Sequence, residues 1–202
     1  MSQNHQGEQI VLASGNAGKV REINQLLAEQ QIRVIPQSEF DTPEAEETGL
    51  TFVENAILKA RNAARHSGLP AIADDSGIEV DALKGAPGIY SARYAGPACD
   101  DEANNRKLLQ ELAGISGEDR SARFQCVLVY LRHAEDPTPL ICQGTWEGQI
   151  LEKPQGDNGF GYDPLFLVPE FGCSSAELSP EQKNALSHRG QALRKLVAAL
   201  GG

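Results

Sequence analysis

The segment at residues 71–96 constrains the fold more than any other part of the chain. Its first three residues, at 71–73, are small and apolar, which predicts a short buried strand. Asp74 and Asp75 follow directly, and we expect the chain to turn at the next two residues, Ser76-Gly77. A second short strand is predicted after this turn, so the two carboxylates lie at the end of a buried strand.

Two adjacent carboxylates in this position indicate either a metal site or a solvated turn. Like charges repel each other, so Asp74 and Asp75 contribute poorly to the stability of a fold. Carboxylate oxygens are, however, the ligands that a hard divalent cation such as Mg²⁺ takes. On these residues alone the two interpretations stand equal, and the flanking segments decide between them.

The length and composition indicate one soluble globular domain. A chain of 202 residues is long enough for one sizeable core or for one domain with two lobes. Neither an internal repeat nor a low-complexity linker divides it, so we treat residues 1–202 as a single two-lobed domain. The charged share of 23% is ordinary for such a protein.

Charge and targeting signals narrow the possible partners. The net charge of −10 argues against a nucleic-acid polymer, although a local basic pocket or a bound metal could still hold a small anion. No apolar run is long enough for a membrane-spanning helix, and the first ten residues lack the regions of a signal peptide. The four cysteines are widely spaced without a CxxC pair, so we expect free thiols in the cytoplasm rather than a zinc site.

Residues 14–19, with the sequence SGNAGK, form a predicted loop between a strand at 10–13 and a helix that starts at Val20. The start of a helix presents backbone N–H groups and the positive end of the helix dipole, which suit a phosphate, and Lys19 adds a positive charge. The loop is not a Walker A motif, because its glycines are too close together and Val20 replaces the expected Ser or Thr. Taken alone, however, this segment is better explained as a tight turn with a surface lysine.

An acidic segment at 41–48, DTPEAEET, precedes the next predicted helix and makes Glu46 and Glu47 candidates for metal binding, although most such runs are solvated loops. The helix begins with a T-x-x-E capping box and ends near Gly68. Lys59 belongs to a polar stripe at the border of its apolar face. Its side chain either reaches a phosphate or extends outward into solvent.

A glycine-rich loop at 156–164, GDNGFGYDP, carries two aromatic residues. Phe160 and Tyr162 are either ordinary core residues or surfaces on which a base could lie flat. The remaining pattern predicts four more strands: one at 32–35 ended by Pro36, a central one at 122–131, its hairpin partner at 140–146, and one at 165–168. It also predicts three helices. The first runs from Asp100 or Asp101 to Ala113, the second starts at the capping box of Ser179, carries Lys183 and runs to 187–190, and the last covers about 192–200.

Four separated segments together resemble the inosine triphosphate pyrophosphatase family, the pyrophosphatases of non-canonical purine nucleotides. The segments are SGNAGK, ETGLTFVENAILKAR, ADDSGIEVDALKGAPGIYSARYAG, and GFGYDPLF followed by KNALSHRGQAL. The resemblance covers nearly the whole chain in order and spacing. It implies a long mixed α/β sheet flanked by helices, two lobes with the active site in the cleft between them, and a homodimer. It also implies Mg²⁺-dependent hydrolysis of ITP, dITP and XTP to the nucleoside monophosphate and pyrophosphate.

The resemblance also assigns roles to residues of this chain. It makes Asp75 the catalytic carboxylate and a metal ligand, with Asp74 beside it, Glu46 as a second metal ligand, Glu47 as an accessory acid, and Lys59 as the cation that neutralises phosphate. Substrate binding falls to Ser14, Gly15, Asn16, Ala17, Gly18, Lys19 and Ser76 and, around the nucleoside, to Phe160, Gly161, Tyr162, Asp163, Lys183, His188 and Arg189. Ser14 replaces a threonine that is frequent in the family, and it keeps the hydroxyl.

This assignment is chemically coherent. A triphosphate is strongly anionic, so lysines and Mg²⁺ would offset charge as the transition state forms, and Asp75 could orient or deprotonate water. Arg189 would donate to the 6-keto oxygen of the base, which adenine lacks. Two alternatives use the same pocket: a nucleotide sensor without catalysis, and a phosphatase that releases orthophosphate.

Overall fold

The computed structural model describes residues 9–29, 32 and 34–201, and the side chains within them except those of 28 and 29. Residue 33, which is part of the strand predicted at 32–35, lies outside the described residues. No helix within these ranges is long and apolar enough to cross a membrane.

The described residues contain seven strands in one mixed sheet, in the order β2-β1-β3-β4-β5-β6-β7. The strands are β1 (Ile10–Ala13), β2 (Val34–Pro36), β3 (Ala71–Val80), β4 (Ser121–Leu131), β5 (Leu140–Ile150), β6 (Phe166–Val168) and β7 (Cys173–Ser174). β1 pairs in parallel with β2 and β3, whereas β6 pairs antiparallel with β5 and β7. The predicted mixed α/β sheet is therefore confirmed.

Five α-helices accompany the sheet in the described part of the chain: α1 (Ala17–Glu29), α2 (Phe52–Ser67), α3 (Asp101–Glu111), α4 (Pro180–Leu186) and α5 (His188–Leu200). Short 3₁₀ helices lie at Gln37–Phe40, Asp81–Leu83, Gly88–Arg93, Gly117–Arg120, Asp163–Leu165 and Ser175–Glu177. The predicted capping box is confirmed for α4, in which Ser179 and Gln182 exchange both bonds, and Thr51 is confirmed as the N-cap of α2, since its hydroxyl accepts the backbone N–H of Glu54.

The turn predicted at Ser76-Gly77 is wrong, because β3 continues through it without a break. The dipeptide is a local turn signal, but this strand lies inside the sheet between β1 and β4. Its side chains at 71–75 are all buried, as expected of a strand covered on both faces. Burial on both faces and pairing on both edges override the local preference for a turn.

The chain divides into two compact units, and the boundary between them falls within β3, β4 and β5 and after the first residue of α5. The first unit comprises residues 1–75, 126–144 and 189–202, and the second comprises 76–125 and 145–188. In the first unit, Ile10 and Leu12 of β1 pack in a cluster with α1 and α5, while Val11 and Ala13 pack in another with α2. Successive strand residues point to opposite faces, so helices cover both faces of the sheet in this unit.

The core of the second unit is aromatic. Phe124 of β4 lies with its ring centroid 4.6 Å from that of Phe166, and Trp146 of β5 lies 5.1 Å from the same ring. Leu108 and Leu112, at the end of α3, are fully buried in this cluster. Helix α3 is therefore fixed against the core of its own unit.

Candidate active site

The acidic pair on β3 gives each carboxylate a different set of partners. Asp74 contacts Lys19 and Arg189, with Lys19 Nζ 2.7 Å from its Oδ1 and Arg189 Nε 2.9 Å from its Oδ2. Asp75 contacts Lys59, whose Nζ lies 2.6 Å from its Oδ1. The direct contacts differ because adjacent side chains of a strand point to opposite faces of the sheet, although the charge of Lys19 also acts to lower the pKa of Asp75.

Asp74 is buried and fully engaged by positive charge. Burial by itself would raise the pKa of this carboxyl, but the nearby charges of Arg189 and Lys19 outweigh it and hold the pKa well below its ordinary value. The thiol of Cys126 also donates to Asp74 Oδ2, at 3.2 Å. Arg189 itself is only 2% exposed and donates a further hydrogen bond to Glu22. Asp74 is therefore the ionised centre of a buried network.

Asp75 has the opposite character. Its burial raises the pKa above the ordinary value, against the attraction of Lys59. Its second oxygen, Oδ2, is buried and has no hydrogen-bond partner among the described residues. A buried carboxylate oxygen without a partner carries a free-energy cost in a protein that binds nothing there. Such an atom suits a group that receives a cation, a water molecule or a proton.

Lys59 links Asp75 to the acidic loop. Its Nζ lies 3.0 Å from Oε1 of Glu47, so one ammonium group contacts two carboxylates. Burial lowers the pKa of Lys59, but the charges of Asp75 and Glu47 more than compensate and raise it above its ordinary value. Glu46, by contrast, is exposed. The geometry thus brings Glu47, rather than Glu46, together with Asp75.

Helix α2 holds the acidic loop in place through Asn55 and Asn62, which share the predicted polar stripe with Lys59 but were not assigned a role in the site. Asn55 accepts the backbone N–H of Gly49 at 2.8 Å, and Asn62 donates to the carbonyl of Pro43 at 2.7 Å. A Cβ on Gly49 would lie 2.5 Å from Cβ of Glu54, so only glycine permits this approach. Asn55 and Asn62 belong to the polar stripe at helical spacing, which was the available signal.

The SGNAGK segment is shorter as a loop than predicted. Asn16 Oδ1 accepts the backbone N–H of Lys19 at 3.0 Å, as an N-cap side chain does, and α1 therefore begins at Ala17 rather than at Val20. Ser14 Oγ accepts the N–H of Asn16 at 3.3 Å. Gly18 and Lys19 thus lie in the first turn of α1, and the lysine ammonium extends to Asp74.

In the second unit, Asp163 organises the aromatic loop. This carboxylate is 2% exposed and receives Lys183 Nζ at 2.6 Å, the hydroxyl of Ser175 at 3.0 Å and the N–H of Phe160 at 2.9 Å. The Lys183 ammonium lies 5.0 Å from the centroid of the Phe160 ring, within range of a cation–π interaction. A Cβ on Gly159 would lie 2.1 Å from Asp163 Oδ2, so this glycine makes room for the carboxylate.

Tyr162 and His188 are part of the core of the second unit. The Tyr162 hydroxyl donates to the carbonyl of Ser91 at 2.8 Å, and burial raises the pKa of the phenol, which keeps this donor protonated. The His188 ring stacks on Phe124 with a centroid distance of 4.7 Å and an interplanar angle of 11°. Ser187 ends α4 in extended conformation, so α5 begins at His188, four residues before the predicted start.

Three groups of predicted site residues are thus assembled. They are Asp74 with Lys19 and Arg189, Asp75 with Lys59 and Glu47, and Asp163 with Lys183 and Phe160. Arg189, which the resemblance assigned to the nucleoside, is engaged by Asp74 and Glu22 in the first unit. Cys126 and Glu22 were missed because nothing in their local sequence distinguishes them from ordinary strand and helix residues.

Comparison with known proteins adds the family. The model of the Ham1 family matches residues 10–199, nearly the whole chain. The chain belongs to the Ham1 family. It is similar to proteins named dITP/XTP pyrophosphatase from Thioalkalivibrio sulfidiphilus, at 65% identity over 96% of this chain and 98% of that one, and from Vibrio cholerae, at 61% identity over 96% of both. The structure of a HAM1 protein from Coxiella burnetii matches with a TM-score of 0.88 and 53% identity, over 96% of this chain and 98% of that one.

Proposed function

We propose that this chain hydrolyses the non-canonical purine nucleotides dITP, XTP and ITP to the nucleoside monophosphate and pyrophosphate. The observation that carries the proposal is Asp75, a buried carboxylate with a raised pKa, an unpartnered oxygen and a lysine at 2.6 Å. Perturbed acids of this kind are typical of catalytic sites. The relatives named dITP/XTP pyrophosphatase, at 61–65% identity, support the choice of substrate.

We further propose that Mg²⁺ is the cofactor, held by Asp75 and Glu47. No group of three His, Cys, Asp or Glu side chains that could hold a metal ion occurs in the described ranges. That fits magnesium, which commonly takes one or two carboxylates and completes its shell with water and substrate phosphates. Asp75 Oδ2 offers a buried ligand atom, and Lys59 keeps Glu47 near it. Glu46, which the resemblance assigned as the second ligand, is exposed and stays an alternative to Glu47 in this role.

The chemistry divides between the carboxylates and the lysines. Bound Mg²⁺ would offset charge on the phosphates and lower the pKa of water. Asp75 orients the attacking water and accepts its proton, which its raised pKa favours. Lys59 stabilises the negative charge that develops on the phosphoryl oxygens. Lys19 and the backbone N–H groups at the start of α1, with the residues at 14–18, bind the rest of the triphosphate.

The nucleoside pocket is assigned to the second unit. Phe160 supplies a half-buried aromatic surface for the base, and Lys183 and Asp163 supply polar groups beside it. The pocket is supported by the neighbouring residues Gly161, Tyr162 and His188. Ser76 of β3 contacts the substrate. Arg189 acts indirectly in this proposal, since it holds Asp74 and thereby the position of Lys19.

The family resemblance also leads us to propose a cytoplasmic homodimer of single two-lobed chains, with no nucleic-acid polymer as partner. All four cysteines are free thiols, which agrees with a reducing compartment. The net charge of −10 disfavours binding to a polyanion.

One assay separates this proposal from its alternatives. Incubation with ITP and Mg²⁺, followed by separation of the products, should give IMP and pyrophosphate in equal amounts. IDP with orthophosphate would instead identify a phosphatase, and ITP that is bound but unchanged would identify a sensor. ATP serves as the matched substrate, since it differs at the 6-position of the base, and Asp75→Asn serves as the inactive protein control.

A further inference from the structure

The aromatic loop of the second unit is fastened to α3 by two hydrogen bonds to one glycine. Asp101 Oδ2 accepts the backbone N–H of Gly161 at 2.7 Å, and Asn105 Nδ2 donates to the carbonyl of the same residue at 2.9 Å. Residues four positions apart lie on the same face of a helix, one turn apart. Both polar groups of Gly161 are therefore held by adjacent side chains of α3.

Helix α3 is a rigid support for this contact. Asp100 caps its start by accepting the N–H of Ala103 at 2.6 Å, and Asn104 bonds to the backbone of Ala92 and Ala95 at 2.9 and 2.7 Å. Its last turn is fixed in the apolar core by the fully buried Leu108. Because α3 is fixed in this way, its side chains Asp101 and Asn105 hold the aromatic loop in one position.

Gly161 has no side chain of its own to fix the backbone of the loop. Its φ is +61°, a backbone region that favours glycine, and a Cβ there would meet no atom within 4 Å. Phe160 precedes it and Tyr162 follows it, so the orientation of the Gly161 peptide groups sets the direction of both aromatic side chains. Phe160 is the side chain that we assign to the base.

Asn105 is also a poor choice for stability alone. Its Oδ1 is buried and has no hydrogen-bond partner among the described residues. A buried acceptor without a partner costs free energy that an apolar side chain of similar size avoids. The hydrogen bond that the Asn105 amide donates to the Gly161 carbonyl explains why an amide side chain occupies this position.

We propose that Asp101 and Asn105 are positioning residues for the nucleoside pocket, which hold Gly161 so that Phe160 presents its ring to the purine base. This inference rests on the proposed function, because it deepens the role of the same pocket. It predicts that loss of the contact weakens binding of the base and leaves binding of the phosphates and the chemical step unchanged.

The donor and acceptor pattern supplies matched variants. Asn105→Asp keeps the size but replaces the donor by an acceptor that faces the Gly161 carbonyl, and Asn105→Leu removes the donor and the unpartnered oxygen together. Asp101→Ala removes the acceptor, whereas Asp101→Asn keeps an oxygen that can accept the same N–H. Arg106→Ala is the control on the same helix, since the ion-pair partner of Arg106 among the described residues is the exposed Glu102.

The measurements are KM and kcat for ITP, and calorimetric affinities for IMP, which carries the base, and for pyrophosphate, which does not. Asn105→Asp, Asn105→Leu and Asp101→Ala should each raise KM and weaken IMP about five- to tenfold, as expected for one lost hydrogen bond. Their kcat should stay within about twofold and pyrophosphate affinity should not change. Asp101→Asn and Arg106→Ala should behave as wild type, and Asn105→Leu should unfold at the same temperature or higher.

Several results would overturn the inference. The first is that both Asn105 variants keep the KM and the IMP affinity of the wild type. The second is that the variants lose pyrophosphate affinity as much as IMP affinity. The third is that Asp101→Asn is as impaired as Asp101→Ala. If the Asn105→Asp variant does not fold, Asn105→Leu gives the same comparison without a buried charge. If the wild type binds IMP but leaves ITP unchanged, the proposed hydrolysis fails and the IMP affinities still decide the role of the contact. If it hydrolyses ITP but binds IMP too weakly to measure, KM for ITP in the variants decides that role.

Discussion

Replacing Arg189 by alanine tests whether this residue anchors Asp74 or reads the base. The guanidinium is 2% exposed and contacts Asp74 at 2.9 Å, with a further hydrogen bond to Glu22. Arg189→Ala leaves Asp74 buried with Lys19 as its remaining cation and the Cys126 thiol as a weak donor. Removal of one partner of a buried ion pair costs about 3–5 kcal/mol, because the other charge stays buried. We expect the free energy of unfolding to fall by that amount.

Urea unfolding at pH 7 of four proteins measures this coupling: wild type, Arg189→Ala, Asp74→Asn and the double variant. If the two residues stabilise each other, the double variant should be less destabilised than the sum of the single variants, by about 1–3 kcal/mol. The same proteins are assayed for kcat/KM on ITP and on ATP. Because Arg189 acts through Asp74 on Lys19, activity on both nucleotides should fall by the same factor.

A base-reading arginine would give the opposite result. Arg189→Ala would then lower kcat/KM for ITP by about 2–3 kcal/mol of transition-state binding, the size of one lost charged hydrogen bond. ATP hydrolysis, which has no keto oxygen to lose, would be unchanged, and so would the urea midpoint. A selective loss on ITP with normal unfolding would refute the anchoring role and restore our first assignment of Arg189.

Three further predictions concern single side chains. Asp75→Asn should lower kcat at least about a hundredfold with little change in unfolding, and near-normal kcat at saturating Mg²⁺ would remove Asp75 from catalysis. Lys59→Met should lower kcat/KM by about a hundredfold in a pyrophosphate-release assay, since a preorganised cation is lost; normal activity would make Lys59 structural. Arg123 donates to both oxygens of Asp81 and lowers its pKa to about 2, so this pair stabilises the fold above about pH 4 and stops doing so as the pH falls towards 2. Asp81 is solvent-exposed, so acid titration of Asp81→Asn against wild type should show a difference of under about 1 kcal/mol that disappears in this window, and a difference that persists below pH 2 would contradict the ionic origin.

The elements with local signals were predictable from the sequence. Helix α2 begins after Thr51 and ends before Gly68 as expected, since an N-cap hydroxyl and a left-handed C-cap act within one turn of the helix. The turn at Ser76-Gly77 failed because sheet pairing outweighs a two-residue preference, and that pairing joins segments far apart in the chain. Helix α1 begins at Ala17 rather than at the predicted Val20, because Asn16 caps it. An Asn before a helical pattern is a known N-cap signal, so this start could have been predicted.

The contacts within the site were predictable only where a motif fixed them. Lys59 and Asp75 lie 16 positions apart, and both fall in segments that the family resemblance covers. Arg189 lies 115 positions from Asp74 and 167 from Glu22, so no local pattern could indicate that it belongs to the first unit. The polar SHRG segment favoured a ligand donor at Arg189, whereas its contacts are with Asp74 and Glu22, and the base-reading role stays a prediction.

The acidic pair shows why composition alone left two interpretations open. Asp74 and Asp75 are the same residue type in adjacent positions, yet the pleat of β3 turns one toward Lys19, Cys126 and Arg189 and the other toward Lys59. The first is held ionised by two cations and has no capacity left for a proton at neutral pH, whereas burial makes the second a stronger base than an ordinary aspartate. An ionised structural anchor and a general base can therefore stand side by side, because a strand separates their environments within a single step of the chain.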